Sequence, residues 1–487
     1  ASAFLSKSSQ VVFMIPSDLI SAKHVIDQIN AQIQLESRSA FNLILVPRKL
    51  DSIMKLIEEE GVYEYVQVYS LLDKFLLSLE LPKYFKRSSS LFVVHSACLW
   101  NSNNHNSSRS HCQKVDQIVH EFLENLGRPD GKSQDISYCI ILDRDIDYAS
   151  PLLTSGTYTS LLDEVFGIKS GTITVPDTKI SFSLSSQEET FSQIKYRHFC
   201  DVSSHLSSKA KRLQEEYAKS QNMGLQEMKS LGHHVTACEA VSQKIGARFV
   251  KQHEIEQNII AGRDKRETTQ YIENQIALAE EDKLTVLRLI CLLSLAQEGL
   301  NAEEAKSLKM QFLQAYGYQY LTAFHNLEQV GLFTEQPSLM NVMAAESGIA
   351  NRLTHVVARK NAFQTLCQRL GLIPSFMENL DLKNPTDMSY VFSGGYIPIA
   401  CQLVNLIWKK ELSLDDLTKI FPHCTVKGKE NQNLVTPMRN KIMVYFIGGV
   451  TYAEVAAFQF LETLLNVQIL VIGTSVINGN TLMDQCS

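Results

Sequence analysis

The chain has 487 residues, of which 45% are hydrophobic and 20% are charged, and its formal net charge is -6. This length is too great for one ordinary hydrophobic core and suits two to four domains. The charge balance speaks against general affinity for nucleic acid or an anionic membrane surface. No run of eighteen apolar residues predicts a membrane span, and Ala1–Lys7 lacks signal-peptide features, so we expect a cytoplasmic protein.

The ten cysteines are scattered singly along the chain, and no two of them form a CxxC pair. Most lie inside apolar segments. This pattern is typical of reduced core residues in a reducing compartment, and it predicts no disulfide framework.

The first sixty residues alternate between apolar runs and amphipathic segments. Val11–Ile15 and Phe41–Val46 predict buried strands, with a helix over Ser17–Ile33 between them. Pro47 suits the first turn of a second helix, which Gly61 ends. The pattern predicts a parallel sheet covered by helices. Because two strands make a poor sheet and the chain begins without methionine, we expect the N-terminal part of this domain to be missing from the sequence.

Beyond this domain the pattern changes twice. Residues 87–112 form a polar segment around a short apolar run, and we expect this segment to be poorly folded. The strand Ser137–Leu142 precedes a helix with one apolar face, Tyr158–Phe166. From about residue 190 to 390, helix follows helix, which predicts an all-helical insert.

After Pro385 the alternation of strands and helices resumes, with strands over Ile442–Ile447 and Val467–Ile472. The helix between them starts with Thr451 and Glu454, which are spaced as a capping box. The sequence therefore predicts a second α/β domain that a helical domain interrupts.

Three carboxylates follow one another at the end of the strand before residue 143. Asp143 and Asp145 resemble the first motif of haloacid-dehalogenase-like, magnesium-dependent phosphatases, in which the first Asp is the nucleophile. The later Ser or Thr, Lys and acidic pair that this chemistry needs do not follow in order. The other interpretation is that Asp143, Arg144 and Asp147 cap and cross-link the strand end through charge-assisted hydrogen bonds. We favour the second and keep the phosphatase as the alternative.

Other candidate sites are weak. The ligand types for zinc occur together, but their spacing matches no paired-ligand pattern; they are His95, Cys98, His105, His111 and Cys112. The adjacent His233 and His234 point about 100° apart on a helix and cannot chelate together. Gly394–Gly395 and Gly448–Gly449 lack the framework of a phosphate loop and predict tight turns. We therefore predict no catalytic residue, no metal and no cofactor.

The helical insert carries eleven Lys and Arg against eight Asp and Glu between residues 206 and 270. These charges indicate either solvated helix faces or a groove for partner helices with charged margins. The candidate partner-binding residues, chosen for charge and helix position, are Lys209, Arg212, Glu216, Lys229, Arg263 and Arg266.

The order of several motifs resembles the SM (Sec/Munc) family of SNARE-binding proteins, over nearly the whole chain. The motifs are Leu79–Pro82, Leu142–Asp147 with Pro151–Leu162, Ile259–Glu267, Tyr390–Pro398 and Phe446–Glu454. The resemblance implies that the structural signature residues are Asp143, Arg144, Asp147, Pro151, Tyr158, Gly394, Gly448 and Gly449.

The resemblance also implies the fold class, which is α/β plus all-α in a three-domain arch. A truncated α/β domain 1 is expected at residues 1–64. A discontinuous α/β domain 2 is expected at residues 65–167 and 391–487, both α/β domains having a parallel sheet. The helical domain 3, at residues 168–390, is inserted into domain 2.

The implied function is not enzymatic. SM proteins bind SNARE helices between the first and third domains and promote SNARE pairing in vesicle docking and fusion. The class-C vacuolar branch resembled here implies endosome-to-lysosome trafficking with a class-C tethering or VIPAR-like subunit. It implies a cytoplasmic protein held peripherally on late endosomes and lysosomes by partners. The chain departs from the family in its opening strands, around residues 87–115 and in an abbreviated hairpin near Met228–His234.

Overall fold

The structure is a computed structural model that describes part of the chain. The described residues are 10–16, 18–34, 40–46, 51–70, 88–94, 136–169, 171–176, 178, 180–219, 225–246, 248–279, 282–336, 362–374, 381–421, 425–428 and 441–486. Two compact units divide the chain. The first comprises Ala1–Leu91, His111–Cys139 and Lys427–Lys441, and the second comprises Phe92–Ser110, Ile140–Val426 and Ile442–Ser487.

The strands and helices of the described residues are as follows. The strands are β1 Gln10–Pro16, β2 Ala40–Val46, β3 Val66–Ser70, β4 Ser88–Val94, β5 Ile136–Asp143, β6 Thr172–Val175, β7 Ile180–Ser183, β8 Thr425–Gly428, β9 Lys441–Ile447 and β10 Gln468–Gly473. The helices are α1 Leu19–Gln34, α2 Asp51–Glu59, α3 Ala149–Leu152, α4 Tyr158–Phe166, α5 Glu189–Ile194, α6 Phe199–Lys219, α7 Leu225–Ile245, α8 Arg248–Ala261, α9 Lys265–Leu278, α10 Lys283–Ala296, α11 Ala302–Tyr316, α12 Leu321–Val330, α13 Ala362–Leu370, α14 Ile399–Trp408, α15 Leu414–Ile420, α16 Tyr452–Leu465 and α17 Gly479–Cys486.

The first unit contains a parallel sheet with strand order β1-β2-β3. Its alternate apolar residues, Phe41 among them, are buried together with Ile26 of α1 and Ile53 of α2. This arrangement agrees with the predicted alternation of strands and helices. β3 was not predicted from the sequence, and it provides the third strand that the two predicted ones need.

The second sheet has the strand order β10-β9-β5-β4-β8. β4 corrects the expectation that residues 87–112 are poorly folded, because residues 88–94 lie between two other strands. The remaining residues of that segment lie outside the described part of the chain. Residues Cys139 to Leu142 of β5 are fully buried, as expected for an inner strand.

The helical domain predicted at residues 168–390 also contains a β-hairpin, which precedes the run of helices from residue 190. β6 and β7 pair antiparallel, with Thr172 opposite Ser183. Ile173, Val175 and Phe182 of the hairpin pack in one core with apolar residues of α4, α6 and α7. The sequence does not predict these strands, because each has only four residues, too few for an alternating pattern to stand out.

In the run of helices from residue 190, the sequence predicts one continuous helix over Phe191–Tyr217 and another over Leu225–Lys251, and both are broken in the structure. The predicted helix from Phe191 to Tyr217 is α5 and α6, with Lys195–His198 between them. In the segment predicted as a helix over residues 225–251, α7 ends at Ile245. The next residue, Gly246, has a φ of +45°. A glycine adopts this left-handed conformation without the strain that a Cβ brings, so it ends the helix.

The proposed domain limits stay a prediction. β3 ends at Ser70, so the first sheet continues past the limit drawn at residue 64. Among the helices of the described residues, none combines the length and the apolar character that a bilayer crossing requires.

Candidate functional site

The acidic run follows β5, where the chain enters a single 3-10 turn, Arg144–Ile146. Asp143 Oδ1 accepts a hydrogen bond from the backbone N–H of Asp145 at 3.2 Å. Asp145 Oδ1 accepts one from the Tyr148 hydroxyl at 2.6 Å. Asp143 therefore caps the backbone of the turn, as short polar residues do at helix starts, and Asp145 binds a nearby side chain.

Arg144 is 3% exposed and points into the protein. Its Nη1 and Nη2 atoms each donate to one carboxylate oxygen of Glu454 at 2.9 Å. Nη2 also donates to the carbonyl oxygen of Asp147 at 2.5 Å. A buried bidentate pair of this kind is short, directional and strongly position-dependent. It ties the end of β5 to the start of α16.

Glu454 has a second role. Its carboxylate accepts from the backbone N–H of Thr451 at 2.9 Å, and the Thr451 hydroxyl accepts from the Glu454 N–H at 3.1 Å. These bonds complete the predicted capping box. The preceding Gly448 has a φ of +94°, and a Cβ there would lie 2.7 Å from Cβ of Arg144. A glycine is required because the arginine passes this close to the backbone.

Asp147 is 1% exposed and joins a third segment to the same place. Its oxygens accept from the Ser150 N–H at 3.0 Å and the Ser150 hydroxyl at 2.6 Å. They also accept from the Tyr396 hydroxyl at 3.2 Å and the Ile399 N–H at 3.1 Å. We name Arg144, Asp147, Tyr396 and Glu454 the strand-end cluster. Its geometry is that of a cross-link between segments distant in sequence.

A second buried charge cluster, which the sequence does not predict, lies beside Pro151. Arg288 of α10 is 2% exposed, and its Nη1 donates to Glu164 at 2.5 Å. Glu256 of α8 accepts from the N–H of Thr154 at 2.8 Å and from its hydroxyl at 2.7 Å. Burial raises the pKa of Glu256, an effect that Arg288 and these hydrogen bonds oppose. The signal in the sequence was one arginine inside an otherwise apolar helix.

Two other signature residues, Tyr158 and Gly394, also have structural roles. The buried Tyr158 donates or accepts at Nδ1 of His234, 2.9 Å away. Nε2 of His234 lies 3.0 Å from Glu188, and His233 stacks on Phe182. Gly394 has a φ of +88° in the turn before α14.

The structure separates the candidate partner-binding residues by exposure. Arg212 on α6 and Lys229 on α7 are exposed, and these two helices pack against each other. Arg263 and Arg266 are exposed around the turn between α8 and α9. Glu216 lies on α6, and its side chain is outside the described part of the structure.

Lys209 does not belong among the candidate partner-binding residues, because it is buried and only 3% exposed. Its Nζ lies 3.5 Å from a carboxylate oxygen of Glu189 and 3.4 Å from the side-chain oxygen of Gln193. The helix face that carries Lys209 is turned towards α5, so this lysine holds two helices together and is not available to a partner.

This chain is similar to known proteins over nearly its whole length. The model of the Sec1 family matches residues 4–485. The chain belongs to the Sec1 family. Vacuolar protein sorting-associated protein 33B of Danio rerio is 30% identical, over 99% of this chain and 87% of the relative. The Homo sapiens protein of that name is 28% identical with the same coverage. Vacuolar protein sorting-associated protein 33A of Rattus norvegicus is 27% identical over 91% of the chain and 81% of the relative.

Solved Sec1-family structures have the same fold. The Unc18–syntaxin 1 complex of Monosiga brevicollis matches with a TM-score of 0.58 at 15% identity, over 98% of this chain and 87% of that one. The SM protein Vps45 in complex with the Qa SNARE Tlg2 matches with a TM-score of 0.57 at 16% identity, over 97% and 85%. The predicted membership of the SM family and the predicted SM fold class are thereby confirmed.

Reversing the charge of the buried lysine tests its structural role in this Sec1-family chain. We expect Lys209→Glu to lower the free energy of unfolding by about 2 kcal/mol, because it places a carboxylate against Glu189 in a poorly hydrated position. Lys211→Glu is the matched control, since Lys211 is exposed two residues away. Urea unfolding followed by intrinsic fluorescence measures both. Equal stability of the two variants would contradict the assignment.

Within the described ranges, no group of three His, Cys, Asp or Glu side chains is arranged to hold a metal ion. The histidine and cysteine set between His95 and Cys112 lies outside the described residues, so the expectation for that segment stays a prediction.

Proposed function

We propose that this Sec1-family chain is a non-catalytic, SNARE-binding regulator of vesicle docking and fusion in endosome-to-lysosome trafficking. The observation that carries the proposal is the family match along residues 4–485, together with relatives named for vacuolar protein sorting that cover 99% of the chain. Two solved proteins of the same fold are bound to SNAREs, syntaxin 1 in one case and Tlg2 in the other.

The geometry of the strand-end cluster favours this proposal over the phosphatase alternative. A nucleophilic Asp143 with Asp145 as acid/base would need both carboxylates directed at a metal and a phosphate. Instead, Asp143 caps the backbone of Asp145, and Asp145 accepts from Tyr148. The buried charge behind them, Arg144, is neutralised by Glu454. The run is therefore used for local structure.

The proposal includes a stable partner and a location. We expect a class-C tethering or VIPAR-like subunit to bind the chain, and the complex to sit peripherally on the cytoplasmic face of late endosomes and lysosomes. The relatives named 33B and 33A support this. Co-purification of the chain with SNARE motifs and with a VIPAR-like subunit tests both associations. Binding of neither would contradict the proposal.

The exposed basic residues are the proposed contact for the SNARE helix. The set consists of Arg212, Lys229, Arg263 and Arg266, with Glu216 on the same helix as Arg212. Basic side chains at the margin of a groove pair with the acidic margin of an amphipathic helix, and they raise the rate and the specificity of association beside the apolar anchors. This contact is a proposal from charge, exposure and position.

Charge reversal at two of these positions has a defined expected result. The double variant Arg263→Glu and Arg266→Glu should weaken binding to a labelled SNARE motif by about tenfold, or about 1.4 kcal/mol. Lys306→Glu with Lys409→Glu is the matched control, because both lysines are exposed and lie elsewhere. Fluorescence anisotropy gives the two dissociation constants. If the test pair and the control pair bind alike, the basic turn is not the contact.

A further inference from the structure

A cysteine, a histidine and a serine lie side by side where α6 begins, next to the turn that precedes α14. Nδ1 of His198 lies 3.1 Å from Sγ of Cys200, and Nε2 of the same ring lies 3.0 Å from the Ser393 hydroxyl. None of the three residues belongs to the strand-end cluster or to the proposed SNARE contact. A nucleophile beside a base, with a third group that orients the base, is the arrangement by which proteins activate a thiol or a hydroxyl.

The tautomer of His198 follows from its hydrogen bonds. The backbone N–H of Cys200 donates to Nδ1 at 3.3 Å, so Nδ1 carries the lone pair. A neutral imidazole has one acceptor nitrogen and one donor nitrogen, so Nε2 carries the hydrogen and donates it to the Ser393 hydroxyl. The lone pair of Nδ1 is therefore directed towards Cys200, where it can take the proton of the thiol.

The backbone around the ring holds it in this position. His198 is 4% exposed, and the next N–H, that of Phe199, donates to the carbonyl oxygen of Gly156 at 2.7 Å. A Cβ at Gly156 would overlap the imidazole. Ser393 has a φ of +51°, which is strained for a residue with a Cβ and is often found at functional sites. The base and the group that orients it are thus fixed before any reagent arrives.

The thiol of Cys200 is accessible but needs a base. Among the seven cysteines that the structure describes, Cys200 alone is exposed. Partial burial raises the pKa of its thiol, as do the charges of Asp201 and Asp381, whereas Lys383 opposes the change. The thiol is therefore protonated at neutral pH. A thiol with a raised pKa is a strong nucleophile once its proton has been removed.

His198 is available to remove that proton. Burial lowers the pKa of His198 to about 4, and the charge of His253 on α8 adds to this effect, whereas Asp201 opposes it. The imidazole is therefore neutral at neutral pH, with the lone pair of Nδ1 free of a proton.

We infer that Cys200 is a modification site for small disulfides such as glutathione disulfide, with His198 as the base and Ser393 as a positioning residue. Sγ of Cys200 attacks one sulfur of the disulfide while the thiol proton moves to Nδ1 of His198. The new S–S bond forms as the old one breaks, and the leaving thiolate takes the proton from His198. The small disulfide is the oxidant. The products are a mixed disulfide on Cys200 and one free small thiol, and this modification goes beyond the proposed function.

The pH dependence of the reaction tests the inference in the wild-type chain. The folded protein is incubated with glutathione disulfide between pH 6 and pH 8, and peptide mass spectrometry follows the adduct on Cys200 with time. We expect its rate constant to change by less than about threefold over this range, because the base is already neutral at pH 6. A thiol without a base reacts as free thiolate, whose amount rises about tenfold per pH unit below the thiol pKa. A tenfold rise per pH unit at Cys200, or no adduct there, overturns the inference.

Two variants test the base and its positioning residue separately. His198→Asn keeps a hydrogen-bond acceptor for the Cys200 N–H but no base, so its rate at pH 7 should fall about 100-fold and should rise tenfold per pH unit. Ser393→Ala should slow the reaction and keep the flat pH profile. Ser207→Ala, at an exposed position on α6, is the matched control and should react as wild type does. If His198→Asn reacts at the wild-type rate with a flat profile, the base is not His198 and the inference is wrong.

Discussion

Glu454→Gln is expected to lower the free energy of unfolding by about 3–5 kcal/mol, since it removes the carboxylate that forms a bidentate pair with the buried Arg144. The glutamine keeps the size of the side chain, so the loss comes from the charge and not from a cavity. Arg144 cannot reach water to compensate, because its side chain is 4% exposed and the Glu454 side chain is fully buried. Urea unfolding measures the difference from wild type. Glu239→Gln on the exposed face of α7 is the control and should change stability by less than about 0.5 kcal/mol.

A double-mutant cycle separates the ion pair from the capping box. Arg144→Met removes the charge that Glu454→Gln leaves unpaired, so the double variant should be more stable than the sum of the two single losses predicts. If Glu454→Gln acted only by weakening the capping box, the stability losses of the two single variants would add up to the loss of the double variant. Additivity within about 0.5 kcal/mol, or a Glu454→Gln variant no less stable than the control, would contradict the cross-link.

Acidification from pH 7.5 to pH 5 is expected to remove about 4 kcal/mol of stability through two buried histidines. Burial lowers the pKa of both His198 and His253 from 6.5 to about 4. Above pH 6.5 both are neutral in the folded and the unfolded chain, so they contribute no pH dependence. Below it the unfolded chain binds two protons that the folded chain does not, and stability falls until the pH nears 4. Each of the two histidines then lowers the free energy of unfolding by about 2 kcal/mol at pH 5.

The groups around these histidines set the size of the effect. His198 lies near His253, a like charge once both are protonated, and near Asp201, which opposes the shift. Its Nε2 lies 3.0 Å from the Ser393 hydroxyl and its Nδ1 lies 3.1 Å from the Cys200 thiol. For His253, Glu164 gives the opposing charge.

Variants without titrating rings isolate this dependence from that of other groups. The double variant His198→Asn and His253→Gln should lose about 4 kcal/mol less than wild type between pH 7.5 and pH 5 in urea unfolding. His325→Gln, at an exposed position, should follow the wild-type curve. Parallel curves for the double variant and wild type would show that the two rings do not carry the pH dependence.

The features that the sequence predicted well are local ones. The capping box of Thr451 and Glu454 needs residues three apart, and the parallel pairing of β1 with β2 follows from two apolar runs with a helix between them. Such signals depend on spacing and on hydrophobic periodicity, which a single sequence displays.

The features that it missed depend on contacts between distant segments. Arg144 and Glu454 are 310 residues apart, and Arg288 and Glu164 are 124 apart. A sequence shows that an arginine stands in an apolar run, but not which carboxylate neutralises it. Charge and helix position made Lys209 a candidate for partner binding, and only its contact with Glu189 of α5 shows that this lysine, of a type rarely buried, lies inside the protein.

We propose that this Sec1-family chain binds SNAREs and does not turn over substrate. A titration of labelled cytoplasmic SNARE regions with the purified chain, read by fluorescence anisotropy, tests it most directly when a magnesium-dependent phosphate ester assay is run beside it. We expect saturable binding to at least one SNARE with a Kd of about 1 μM or lower, and no hydrolysis of the phosphate ester. Failure to bind any SNARE, together with hydrolysis that Asp143→Asn abolishes, would contradict it.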